Sequence, residues 1–395
     1  MNPLTGGPCQ GIRSSDTQLR KAKGVLREVV SLDEPDEEFL GKDQFPIHAL
    51  GYGRGLWRYN EKLIPWLVQN IPRFDVVVVN GLWLFSTYAA WKAMRILKKK
   101  QLKNADKLPL PKLFVMPHGM LDPYFQTAAD RRLKAIRNWF YWHLIEHRIV
   151  NDADGLLFTC ETELQLSRET FKNYHPRREL NVSYGVNEPP PFSLSMRKVF
   201  MERCHELGKS SYWLFLSRIH EKKGLDLLIE AYAGILTDAG FNGTTIPKLV
   251  VAGPGLETSF GRNIRKTVFA DKNLKRNVFF TGMLSGDAKW GAFYGCEAFV
   301  LPSHQENFGI AVAEALACSK PVMITNQINI WREIQHGGAG IIETDTLDGI
   351  EKMLRIWLKM DQSEKRKMEM SAYRTYKNNF AIEPASDLFL EALKS

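Results

Sequence analysis

The stretch AFVLPSHQENFGIAVAEALACSK, Ala298 to Lys320, decides how the chain reads. Its apolar start, Ala298 to Leu301, is a buried strand, and Pro302-Ser303 ends it. A polar loop carrying Glu306 follows. Gly309 then opens an Ala-rich helix that holds Glu314. Ligands of an α/β sheet sit beyond the carboxyl ends of its strands. A helix start there offers free N–H groups and the positive end of a dipole to an anion. Two carboxylates that can hold hydroxyls thus lie beside an anion-binding terminus, which suits a sugar joined to phosphate. An ordinary strand-loop-helix unit with one surface and one helical glutamate accounts for the spacing equally well.

Working outward, a strand at Tyr212–Leu216 ends in Ser217-Arg218, and a helix is expected over Gly224–Leu236. Lys248–Ala252 is a strand closed by Gly253-Pro254-Gly255, and Val278–Phe280 is one closed by Thr281-Gly282. Pro321–Thr325 and Gly340–Ile342 complete this series, with helices at 286–295, 330–335 and 347–359. Before it lie strands at 46–50, 74–79, 113–116 and 155–159, the second read as fully buried from its unbroken β-branched run. Between them fall helices at 60–70, 86–103, 131–150 and 161–171. A basic helix or helix-strand passage is expected over 18–30, a linker over 182–191 and a final helix over 371–393. Strand and helix alternate twice along 395 residues, which predicts α/β architecture with two Rossmann-like domains facing across a cleft. The expected division is 1–186, joined by the terminal helix at about 371–395, and 187–370.

Apolar content of 44% and charged content of 25% are those of an ordinary globular protein. No apolar run approaches the roughly 18 residues of a spanning helix, and the start has no signal pattern. Five scattered cysteines without a CxxC pair argue against disulfides and structural zinc. These features predict a cytoplasmic protein. A net charge of +9 suits anionic partners without choosing among them. The helices at 86–103 and 131–148 combine Lys and Arg with aromatic residues. Each is either a solvated flank or a face for an anionic membrane, on the inner side of the plasma membrane.

Arg218 at a strand end and Lys223 at the next helix edge can converge on one phosphate group, or be plain surface charges. His118, after the strand at 113–116, can hydrogen-bond a hydroxyl or stabilise developing charge, or be structural. There is no GxSxG elbow, HExxH or GxxxxGK[ST] loop, and no nucleic-acid module.

Taken together, SRIHEKKGLDLLIEAY, LVVAGPG, VFFTG and VLPSHQENFGIAVAEALACSKPVMITN resemble the second domain of glycosyltransferase family four. These are retaining nucleotide-sugar enzymes of the two-Rossmann, GT-B type. The likeness is specific over 212–345. It is looser before, where GGP, GLW, PHGMLDP and LLFTCETE match a polysaccharide-assembling subset. It implies that Glu306 contacts the donor sugar and Glu314 the ribose, while Arg218 and Lys223 bind the diphosphate. It further implies that the backbone of Asn307, Phe308 and Gly309 approaches sugar and phosphate. Gly253 and Gly282 fall in its strand-end turns, Gly6 and Gly7 in its first-domain glycine loop, and His118 near the donor's sugar.

The implied activity is transfer from a UDP- or GDP-linked sugar to a glycan or lipid-linked acceptor in cell-surface or exopolysaccharide biosynthesis. No cofactor or metal is implied. The diphosphate would take the acceptor's proton on the face it leaves. The family's first strand precedes the glycine loop, whereas this chain begins inside it, so the first domain is expected to lack that strand. The rival readings are a two-carboxylate glycoside hydrolase and a truncated nucleotide-sugar-binding protein without turnover.

Overall fold

The computed structural model describes residues 1–2, 7–103, 109–128, 131–241 and 243–395. The chain forms two units, Met1–Gly185 with Ile382–Ser395, and Val186–Ala381. It crosses between them at 185–186 and returns at 381–382. The helix expected over 371–393 is therefore two. Gln362–Asn379 packs in the second unit and Ile382–Lys394 in the first, with the break at Phe380-Ala381. Gly185 has no room for a side chain there, because an added Cβ would lie 2.7 Å from Ile382 Cα.

The second unit is built on six parallel strands: β7 (Tyr212–Leu216), β8 (Lys248–Ala252), β9 (Val278–Gly282), β10 (Ala298–Leu301), β11 (Val322–Thr325) and β12 (Gly340–Glu343). Their spatial order is β12-β11-β10-β7-β8-β9. Counted within the unit this is the doubly wound order 3-2-1-4-5-6, and its direction reverses between β7 and β10. The central strands are apolar on both faces because helices cover both. Leu214, Phe215, Val250, Phe299, Val300 and Met323 are wholly buried.

In the first unit, β3 (Val76–Asn80), β4 (Lys112–Met116), β5 (Gly155–Phe158) and β6 (Glu179–Asn181) form a parallel sheet in sequence order. A separate parallel pair joins β1 (Val29–Ser31) to β2 (Ile47–Ala49). β3 is not the fully buried strand that its valines predict. Val76, Val77 and Val78 are only partly buried, with Val76 and Val78 packed against the cluster of Phe114, Met116, Leu157, Val182 and Ala392. The passage at 18–30 resolves into a helix, Gly7–Lys23, and then β1.

The expected long helix over 131–150 is also interrupted. An α-helical segment, Arg132–Tyr141, gives way to a π-helical turn, Trp142–Glu146, before α-helix resumes at His147–Asp152. Such turns add a residue to the helix and re-aim the side chains beyond it. Here Trp142 and Glu146 are turned fully inward. Among the described residues, no helix is long and apolar enough to cross a membrane.

Candidate functional site

The loops after β7 and β10 meet where the strand order of the second sheet reverses. After β7, Glu221–Lys223 makes one 3-10 turn, started by His220 Nδ1 accepting from the Lys222 N–H at 3.1 Å. Gly224 follows with φ +63, and a Cβ there would lie 2.1 Å from the Pro302 carbonyl oxygen. Only glycine lets the two loops approach so closely. The contact is reinforced by the His304 N–H and the Ser303 hydroxyl, which both donate to the Lys222 carbonyl, at 2.9 and 3.0 Å.

This seam fixes Lys223, which is only 7% exposed, with its Nζ bonded to Glu306 Oε2. Glu306 is in turn stapled to the segment after β11. Its N–H donates to the Gln327 carbonyl and its own carbonyl accepts from the Asn329 N–H, both at 3.0 Å. Two of the expected site residues are therefore paired with each other. Arg218 lies beyond the end of β7, exposed and without an ion pair among the described residues.

Gly309 opens the Ile310–Ala317 helix with φ +77. Asn307 Oδ1 accepts from Asn329 Nδ2 at 3.4 Å, and the Phe308 ring is buried edge-on against Phe380. Glu314 lies in the middle of the helix, 5% exposed, with Oε1 2.5 Å from Lys289 Nζ. Burial raises the Glu314 pKa and Lys289 opposes that rise. Gly253 and Gly282 stand at the ends of β8 and β9, and the Gly253 N–H donates to the Gly282 carbonyl at 2.8 Å. Arg218, Lys223, Gly253, Gly282, Glu306 and Gly309 thus all lie beyond the carboxyl ends of neighbouring strands.

The remaining expected residues lie in the first unit. Gly6 falls outside the described residues. Gly7 begins its helix, and its carbonyl accepts from the Tyr184 hydroxyl. His118 follows β4 in the left-handed region, φ +52, with its ring edge-on to Tyr184. Tyr184 therefore stands between Gly7 and His118, a role the sequence did not signal. His118 Nε2 donates to Asn80 Oδ1 at 2.9 Å. Desolvation lowers the His118 pKa to about 4, so at neutral pH the ring is an uncharged hydrogen-bonding group.

Two further residues shape these loops and were not singled out from the sequence. Glu163 accepts from the Gly119 N–H, from the Thr159 N–H at 2.8 Å and from the Thr159 hydroxyl at 2.6 Å. It ties the loop after β4 to the one after β5. Glu146, inside the π-helical turn, accepts from the Trp83 N–H at 2.9 Å and so holds the loop after β3. Trp83 is itself left-handed, φ +69. In the helix Phe85–Gln101 the apolar residues Trp91, Met94 and Leu97 face the core, and only its lysines and Arg95 are exposed. Its outer face is therefore basic, with no exposed apolar side chain.

Residues 200–375 match the family model described as glycosyl transferases group 1. That segment is a group 1 glycosyltransferase domain, and the two parallel α/β units give the chain a GT-B fold. Among curated relatives, D-inositol 3-phosphate glycosyltransferase of Thermobispora bispora is 25% identical over 210 residues, 50% of this chain and 46% of its own. The same enzyme of Geodermatophilus obscurus is 27% identical over 310 residues, 77% of this chain and 62% of its own. The chain thus spans about half to three fifths of these two. O-antigen chain mannosyltransferase C of Escherichia coli is 24% identical over 72% of this chain and 74% of its own.

Similar solved structures extend over nearly the whole chain. Sucrose-phosphate synthase from Thermosynechococcus elongatus has a TM-score of 0.73 at 17% identity, covering 99% of this chain and 93% of its own. Anabaena HepE, solved with UDP and glucose, has a TM-score of 0.70 at 15% identity, covering 98% and 96%. At these identities the likeness is one of fold.

Proposed function

We propose that the protein is a retaining, metal-independent hexosyltransferase. Its donor is a UDP- or GDP-linked sugar and its acceptor a glycan or lipid-linked glycan, in cell-surface or exopolysaccharide biosynthesis. The observation that carries this reading is the Lys223–Glu306 pair at the strand-order reversal, with exposed Arg218 on the same loop after β7. A diphosphate entering there takes over Lys223 and Arg218, and Glu306 is freed to accept hydrogens from donor-sugar hydroxyls. As the bond from the anomeric carbon to the phosphate oxygen breaks, negative charge grows on the diphosphate. The two cations and the helix start at Gly309 stabilise it. The acceptor hydroxyl attacks from the face the diphosphate leaves and gives that diphosphate its proton.

A two-carboxylate hydrolase is disfavoured, because Glu306 and Glu314 are each neutralised by a lysine. The neutral His118 serves as a hydrogen-bond partner of the sugar. The relatives named for an O-antigen mannosyltransferase and for an inositol phosphate acceptor support a cell-surface role and a hydroxyl acceptor. The helix at Arg132–Tyr141 supports a peripheral contact with an anionic membrane. Leu133, Ile136 and Phe140 are exposed along it, followed by Leu144, beside Arg132 and Lys134.

Thermal-shift screening with UDP, GDP and ADP, followed by transfer of a radiolabelled sugar, tests the donor site. Glu306→Ala is expected to lower transfer roughly 100-fold or more while leaving nucleotide affinity within a few-fold. A full-rate Glu306→Ala enzyme would overturn the role given to that carboxylate. No melting shift with any nucleotide would overturn the donor site itself.

A further inference from the structure

Glu314 is the more deeply buried of the two site glutamates, and its own helix, IAVAEALA, supplies no opposing charge. The cation comes from another element, the Gly286–Gly295 helix, through Lys289. The Lys289 ammonium also lies over the Trp290 ring, 4.5 Å from its centroid. It is thus held between an aromatic face and a carboxylate, and its side chain is mostly covered.

Among the described residues, no cation other than Lys289 acts on the Glu314 carboxyl. Cys318, which caps the end of the Glu314 helix, has its thiol pushed up to about 12 by burial and stays neutral. Tyr294, on the Lys289 helix, is likewise pushed up to about 12. The Gln362–Asn379 helix packs on this helix and buries only Ala372, Thr375 and Tyr376. β10 contributes apolar side chains alone, and β11 adds Thr325. Lys289 is the charge that opposes the desolvation of Glu314.

We propose that Lys289 is a positioning residue of the donor site, whose ammonium keeps the Glu314 carboxylate ionised and aimed to accept hydrogens from the ribose hydroxyls of a nucleotide. This deepens the donor-site reading above and rests on it. A carboxylate accepts such bonds about twice as strongly as a neutral group. Burial alone favours the protonated form, which has lost acceptor capacity and carries a hydrogen of its own. Lys289 therefore acts on the nucleotide through Glu314.

The test compares wild type, Lys289→Met, Lys289→Arg and Glu314→Gln by calorimetric titration with UDP and with GDP from pH 6 to 9. Wild-type affinity is expected to stay level over that range. Lys289→Met keeps the apolar stem over Trp290 but removes the charge, so Glu314 takes up a proton. Nucleotide binding then weakens roughly ten- to hundredfold at pH 7 and recovers as pH rises and the carboxyl ionises. Lys289→Arg restores wild-type behaviour. Should Lys289→Met fail to fold, Lys289→Gln carries the same expectation. In parallel, infrared spectra of Lys289→Met at neutral pH should gain a protonated-carboxyl band that a further Glu314→Gln change removes.

A loss of affinity equal at every pH, unchanged affinity, or absence of that band overturns the proposal. The donor-site reading fails separately. It falls if Glu314→Gln binds UDP and GDP as tightly as wild type, or if wild type binds neither, and the role of Lys289 in nucleotide binding falls with it.

Discussion

In the second unit Glu306 and Glu314 each meet a lysine, whereas in the first Glu146 and Glu163 meet backbone N–H groups and a hydroxyl. All four carboxyls stand close to strand-end loops or the helices that follow them, yet they are held by different kinds of partner. A lysine partner holds a carboxyl ionised and gives way when a ligand offers the lysine something better, such as a phosphate. Backbone donors are fixed in place, and a carboxyl that binds them becomes a clamp on the chain. Lysine-paired carboxyls are thus left available on the second unit's loops, while in the first unit the carboxyls hold the loops in shape.

The comparison breaks most visibly at Glu163. Its two oxygens gather three donors from the loops after β4 and β5. Glu163→Ala leaves these groups without that acceptor inside the protein, at a cost of about 3 kcal/mol or more in urea unfolding. Glu163→Gln keeps one acceptor oxygen and should recover part of that stability. A loss below about 1 kcal/mol in the alanine variant would mean that the carboxyl clamps nothing.

Glu146 offers a smaller effect with a distinctive pH signature. Burial pushes its pKa from 4.5 up to about 8, while the Trp83 N–H pulls the other way. Its Oε2 is buried with no hydrogen-bond partner among the described residues. Between pH 4.5 and 8 the folded chain keeps a proton that the unfolded chain has released, so stability falls as pH rises across this window. One proton allows a slope of at most about 1.4 kcal/mol per pH unit. Glu146→Gln still accepts from Trp83 and cannot ionise, so it should flatten urea midpoints measured from pH 5 to 8. An unchanged slope would place Glu146 among the ionised carboxylates and erase the contrast with Glu314.

The second sheet was legible because its strands are short unbroken apolar runs, YWLFL, KLVVA and AFVL, each ended by a polar or glycine turn. Covered on both faces, such strands carry their burial in composition alone. β6 was missed for the opposite reason. It has three residues, none of them fully buried, so no pattern marks it. The π-helical turn left no trace either, and its Glu146 bonds a backbone N–H 63 residues away in sequence. Within the site, the loop residues were readable from their place at strand ends. Lys289 was not, because its pairing with Glu314 spans 25 residues and joins two helices. Pairings of that kind are set by how elements pack, and local sequence does not record them.

The smallest stability effect, and the sharpest contrast between surface and core, belongs to the exposed side of the Arg132–Tyr141 helix. Its buried residues, Ala135 and Asn138, are small, while Leu133, Ile136 and Phe140 are exposed. Apolar side chains left half exposed contribute little to folding, so Ile136→Ser with Phe140→Ser should shift unfolding by no more than about 0.5 kcal/mol. The basic helix Phe85–Gln101 has the opposite arrangement, with its apolar residues spent on the core and lysines outside. If the first helix meets an anionic bilayer, both parts of its surface count: Arg132 and Lys134 draw it to the headgroups, and Ile136 and Phe140 enter the acyl boundary. Sedimentation with phosphatidylglycerol vesicles should then show binding that the double substitution weakens at least tenfold, at about 1.5 kcal/mol or more per side chain removed from the lipid. Salt should weaken what remains, whereas Lys98→Ser with Lys99→Ser on the other helix should matter only at low ionic strength. Equal binding by the apolar double variant would reduce this face to charge alone, and the two helices would no longer differ.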